Sequence, residues 1–178
     1  MCNPLTPRPD RWRLITDPEG TGPRVPGWPF RRHLVHVAET CHLPWRAAAL
    51  AAGLTWQAGG RIARVRRDAG AIPTMDAAAV LALSPGTLEG VLRRPVQAPH
   101  APHMVRALLA AGFTVPRLAQ YLCRSEAEVA GLAGGSAHAG TTVRTELLLA
   151  TALLSAGLVC PLAGAQAHPP RPSRRVAA

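Results

Sequence analysis

The chain has 178 residues, 20 arginines against 10 acids, no lysine, and a formal net charge of +10. That balance points to a polyanionic partner, most simply nucleic acid, although abundant Ala, Arg, Gly and Pro without Lys is also what GC-rich codons favour. With only two Phe, one Tyr and four Trp, a large aromatic core is excluded, and the apolar residues left are the Ala, Leu and Val that suit small, closely packed helices.

Residues 1–29 carry Pro at 4, 7, 9, 18, 23, 26 and 29, which predicts an irregular basic arm. Helix is expected from about Phe30, with Leu34, Val35, Val37, Ala38 and Cys41 on one apolar face. Pro44 fits the start of a second helix, Trp45 to Ala52. Gly53 supplies a turn that needs positive φ, and Thr55 caps a third helix, Thr55 to Arg67. Asp68-Ala69-Gly70 stops it. A helix from Met75 to Leu83 and a short one from Thr87 to Arg93 follow, then a linker marked by Pro95, Pro99 and Pro102. Beyond it, helices are expected at Met104–Ala111, Pro116–Leu122, Glu126–Leu132 and Thr145–Leu158, then a loose basic tail. The fold class predicted is all-α: residues 30–98 form a first unit, 99–163 a second, and 164–178 a disordered tail.

The two units align without a gap at an offset of 70 residues: His33 with His103, Ala49 with Ala119, Thr55 with Ser125, Ile62 with Leu132. In each, a small residue (Ala49, Ala119) stands four positions before a turn residue (Gly53, Cys123), the spacing of two helices crossing over a tight turn. Ala48, Ala52, Leu54 and Ile62 fill the apolar slots of the first unit; Leu118, Leu122, Val129 and Leu132 fill those of the second. This is helix-turn-helix spacing, found twice.

The third helix of the first unit presents the chemistry. Its exposed side is expected to carry Trp56, Gln57, Gly60, Arg61 and Arg64, followed by Arg66 and Arg67. Arg and Gln make two-point hydrogen bonds to guanine and adenine edges, so Gln57, Arg61 and Arg64 are the expected base readers in the major groove. Arg46, Arg66 and Arg67 are expected to hold phosphates, helped by Thr55 at the helix N-terminus. Arg8, Arg11 and Arg13 in the arm suit a minor groove. Gly59 and Gly60 weaken this helix by roughly 2 kcal/mol relative to alanine. The second unit starts its corresponding helix with Glu126 and Glu128, which repel a phosphate backbone; it is expected to keep the fold and to serve dimerisation or a protein partner.

The segments RAAALAAGLTWQAGGRI (Arg46–Ile62) and VRALLAAGFTVPRLAQYLCRSEAEV (Val105–Val129) resemble the tandem helix-turn-helix proteins of actinobacteria and their phages. The resemblance covers about residues 31–160. It implies an all-α DNA-binding protein, a transcriptional regulator or accessory factor. Departures are Ala48, where a larger apolar residue is usual, Gly59, and the acidic second helix.

Weaker signals point elsewhere. His33, His36, Cys41 and His42 cluster, but without a second ligand pair at zinc spacing; no metal or cofactor is expected. Leu147–Gln166 lacks charge and precedes His168, Arg171, Arg174 and Arg175 like a tail anchor. Its Leu-rich part covers about 13 residues against the roughly 20 a bilayer needs, so a buried closing helix is expected. Four distant cysteines without CxxC, and a start lacking an apolar core, predict reduced thiols and a cytoplasmic location. No GxSxG, P-loop or Ser/His/Asp set is present, and the chain is not read as an enzyme. Three function classes stand: duplex DNA binding, a protein-interaction module that keeps the same fold, and, more weakly signalled, a membrane-tethered adaptor using the Leu147 segment.

Overall fold

The computed structural model describes residues 15–16, 22–96, 99–136 and 140–161. Arg8, Arg11, Arg13 and the basic tail lie outside them. The described chain is mostly helical, with one small antiparallel sheet, and divides into two compact units, Met1–Pro85 and Gly86–Ala178.

The first unit holds β1 (Ile15–Thr16), β2 (Pro23–Pro26), α1 (Trp28–Thr40), α2 (Trp45–Ala51), α3 (Trp56–Arg64), β3 (Ala71–Pro73) and α4 (Thr74–Leu81). Strand order is β1-β2-β3, with Val25 opposite Ile72. The expectation of irregular chain through residue 29 is thus corrected at Ile15–Thr16, Pro23–Pro26 and Trp28–Pro29. The prolines of β2 stand at its two ends, where they disturb the ladder least, and Arg24 and Val25 lie between them. Pro29 falls in the first turn of α1, where a missing N–H costs nothing. Helix α1 packs on α2, α3 and α4, burying Leu34, Val37 and Ala38 against Ala47, Ala48, Ile62 and Val80.

The second unit contains α5 (Pro85–Leu92), α6 (Ala101–Ala110), α7 (Val115–Leu122), α8 (Glu126–Gly134) and α9 (Val143–Ser155). Helix α5, which the composition had placed in the first unit, opens this one instead. Two of the three prolines expected to mark a linker are placed. Pro95 pairs with Thr142, flanked by bonds from Val96 N–H to the Thr141 carbonyl (2.9 Å) and from Val143 N–H to that of Arg94 (3.1 Å). Pro102 sits in the first turn of α6. Helix α6 packs on α8 and α9, and Met104, Val105, Leu108, Leu118, Val129, Leu149 and Leu153 form the core. Of the uncharged segment, Leu147–Leu153 are buried in α9. Among the described residues no single helix is long and apolar enough to cross a membrane.

Backbone hydrogen bonds recur seventy positions apart. After α1, His42 N–H bonds Glu39 O (3.1 Å) and Leu43 N–H bonds Ala38 O (2.9 Å); after α6, Gly112 bonds Leu109 (3.0 Å) and Phe113 bonds Leu108 (3.0 Å). After α2, Gly53 bonds Leu50 (2.9 Å) and Leu54 bonds Ala49 (3.1 Å); after α7, Cys123 bonds Gln120 (3.2 Å) and Arg124 bonds Ala119 (2.9 Å). All four are Schellman ends, and each needs a left-handed residue. His42 (φ 51°), Gly53 (77°), Gly112 (90°) and Cys123 (52°) supply it.

Candidate nucleic-acid interface

The α2–turn–α3 segment is built from small residues at its crossing. Ala47, Ala48 and Ala49 are buried, and Gly59 of α3 lies against Ala49. A Cβ on Gly59 would stand 3.0 Å from the Ala49 Cβ and 3.7 Å from the Trp45 ring. The glycine that departs from the usual pattern therefore has a packing reason: it lets α3 sit close to α2 beside a large indole. The equivalent positions of the second unit are Val129, fully buried, and Val115 in place of Trp45.

Thr55 caps α3, its hydroxyl accepting from Ala58 N–H at 3.2 Å. Ala58, Gly59 and Ile62 face inward. At about 100° per residue, Trp56, Gln57, Gly60, Arg61 and Arg64 then occupy one outward arc of about 140°. Gln57, Arg61 and Arg64 are exposed and Trp56 is half-buried. The arc carries no acid.

The individual side chains are more constrained than the sequence suggests. Arg46 projects from α2 and lies over two rings, its guanidinium carbon 4.5 Å from the Trp56 centroid and 5.2 Å from that of Trp45. Such stacking holds a cation in place on a half-buried platform. Arg61 reaches Asp76 of α4 at 3.5 Å while its side chain stays 51% exposed. A contact that long and open is weak and can be exchanged for another anion. Arg64 folds back so that its Nε donates to the Gly60 carbonyl (3.1 Å).

Arg66 and Arg67 are not on the helix. Predicted to run to Arg67, α3 ends at Arg64 because Val65 turns to extended backbone and buries its side chain. A Cβ on Gly27 would come 2.8 Å from Val65 Cγ2, so Val65 fills the space that glycine leaves. Arg31 of α1 donates to the Val65 carbonyl at 3.0 Å, placing a cation on the negative end of α3. Arg66 and Arg67 lie exposed in the loop that follows, closed by Arg66 N–H to Ala69 O (3.0 Å). The structure thus brings Arg46, Thr55, Trp56, Gln57, Arg61 and Arg64 onto α2–α3 and sets Arg66 and Arg67 beyond its end. Sequence reasoning missed Trp45, Arg31 and Asp76. The first two had a signal in their Trp and Arg identity, but the long-range pairing to Asp76 had none.

The same arc on α8 is made of Glu126, Ala127, Ala130, Gly131 and Gly134. Glu126 is the one long polar side chain on it, and it is an acid. Glu128 lies outside the arc and closes a capping box with Ser125. Hydrogen bonds from the Ser125 backbone and hydroxyl, then from Arg124, hold its carboxyl below the usual range. Arg124 also donates to Gly140 O (2.7 Å) and Thr145 Oγ1 (3.2 Å), so this arginine ties α8 to the start of α9.

The histidine–cysteine cluster is drawn into backbone contacts. His33 Nε2 donates to the Leu83 carbonyl at 2.8 Å, and buried Cys41 donates to that of Pro85 at 3.6 Å. Among the described residues no three His, Cys, Asp or Glu side chains are grouped to hold a metal. Compared with protein-family models, curated proteins and solved structures, the chain matches none.

Proposed function

We propose that this chain is a non-enzymatic duplex-DNA-binding protein of the regulator or accessory-factor type, built from a duplicated helix-turn-helix and acting in the cytoplasm. The observation that carries the reading is the contrast between two equivalent helix faces. The α3 arc carries Trp56, Gln57, Arg61 and Arg64, whereas the α8 arc carries Glu126, alanines and glycines. Packing alone needs no such difference, because in both helices the buried side chains, Ile62 in one and Leu132 in the other, lie opposite the arc. The hydrogen bonds that recur at an offset of 70 support duplication followed by specialisation.

In this reading α3 enters the major groove. Gln57, Arg61 and Arg64 reach base edges, with Arg61 exchanging Asp76 for a base. Arg46 holds a phosphate from its tryptophan platform, and Arg66 and Arg67 hold the backbone near the other end of α3. Residues 99–163, within the second unit, serve a second copy or another protein. A narrower reading makes the whole chain a protein-interaction module; the bare α8 face favours it for the second unit only.

The test is fluorescence anisotropy on a mixed-sequence, GC-rich duplex across a salt series, beside a variant with Arg61, Arg64, Arg66 and Arg67 changed to alanine. Steep salt dependence that the variant loses supports the reading. No binding at low salt, or equal binding by the variant, turns the search to protein partners.

A further inference from the structure

Helix α1 carries a second cationic surface that the α2–α3 reading does not use. A cleft of about 300 Å³ is lined by Trp28, Arg31, Arg32, Val35, His36 and Glu39. These positions fall on the side of α1 opposite buried Phe30, Leu34 and Val37. Arg31 is held on a face and at an edge of its guanidinium: it lies 5.2 Å from the Trp28 centroid and donates to the Val65 carbonyl. Arg32 and His36, one turn apart on the same face, are exposed. The only acid lining the cleft, Glu39, closes its C-terminal end.

This cleft continues toward the recognition surface. A smaller cleft shares Arg31 and Val35 with it and runs to Trp45 of α2 and Ala63 of α3. From Trp28 to Trp56, the first unit therefore presents three half-buried indoles and two arginines stacked on them, Arg31 on Trp28 and Arg46 on both Trp45 and Trp56. Two fixed cations with exposed Arg32 beside them match a row of phosphates, which repeats along a strand, better than a single small anion.

We propose that the Trp28–Arg32–His36 end of this cleft binds the sugar-phosphate backbone of the duplex that α3 reads. The site rests on the DNA-binding reading and extends it: α1 grips the flank of the target without reading bases. Contacts of that kind change affinity and salt dependence evenly across sequences and leave base preference unchanged.

The experiment compares wild type, Arg32→Ala, Arg32→Glu and His36→Ala on a preferred duplex and on one with altered bases. Circular dichroism melts verify folding, which these exposed substitutions are expected to leave intact. Arg32→Ala is expected to lower the slope of log K against log salt by about 1, and Arg32→Glu to weaken both duplexes by the same factor. Quenching of tryptophan fluorescence by duplex is expected to be smaller in Trp28→Phe. If wild type binds and Arg32→Glu binds with unchanged affinity and slope, the α1 site is overturned while the α3 reading stands. If wild type binds no duplex, both are overturned.

Discussion

Gly59 of α3 and Ala49 of α2 touch so closely that a single added methyl would stand 3.0 Å from the alanine Cβ. The neighbouring Gly60 has no such restriction: its nearest neighbour would be the flexible Arg64 tip at 3.5 Å. Two adjacent glycines of one helix thus have opposite physical roles. Gly60→Ala is expected to raise stability by about 1 kcal/mol through helix propensity. Gly59→Ala is expected to lose that gain to overpacking and destabilise by about 1 kcal/mol. Thermal melts of the two variants decide it; equal shifts would mean the crossing is looser than the contact implies.

His42 and Cys123 occupy left-handed C′ positions where the other unit has glycine, at Gly112 and Gly53. A side chain there costs roughly 1–2 kcal/mol against glycine, partly returned through the freer unfolded chain. His42→Gly and Cys123→Gly are each expected to stabilise the protein by about 1 kcal/mol, and the pair to be additive because the sites belong to different compact units. Chemical denaturation measures both, and a loss in either would show that the side chain makes a contact worth more than the strain.

Arg46 touches two indoles and stands at the entrance of α3. Arg46→Lys keeps the charge but not the flat guanidinium that stacks on a ring. It is expected to retain most of the salt slope and to bind duplex several-fold more weakly, whereas Arg46→Ala is expected to lose about one unit of slope as well. Anisotropy titrations at two salt concentrations separate charge from stacking.

Glu128 sets an acid limit on the second unit. Its carboxyl is held below the usual value of 4.5 by the Ser125 N–H, the Ser125 hydroxyl and Arg124. A carboxyl lowered in the folded state favours folding above its unfolded value, and that contribution disappears as pH falls through the folded one. The melting temperature is expected to fall as pH drops below about 4.5, and less steeply in Glu128→Gln. Identical pH profiles would show that the capping box is not formed in solution.

Much of the local structure was legible in the sequence. The Gly53 turn, the Thr55 cap and the small residues at the crossing follow from backbone sterics and apolar spacing, which act over a few residues. What misled was proline. Seven of them in the first 29 residues suggested irregular chain, yet Pro23 and Pro26 bound a strand whose partner, Ala71–Pro73, lies almost fifty residues away. A similar reason ended α3 early. The helix-forming arginines at 66 and 67 would continue it by propensity, but Gly27, Arg31 and the sheet give Val65 a better place off the helix.

By itself, the sequence determined the mostly helical class, the positions of the helices and the charge asymmetry between the two candidate recognition helices. These depend on residue identity and short-range periodicity. Tertiary structure decided which arginines share a surface, that Arg46 lies on two tryptophans, that Arg61 pairs with Asp76, and that a cleft on α1 continues toward α3. Most of those relationships join side chains on different helices, and their geometry comes from how α1, α2, α3 and α4 pack. No spacing along the sequence encodes it.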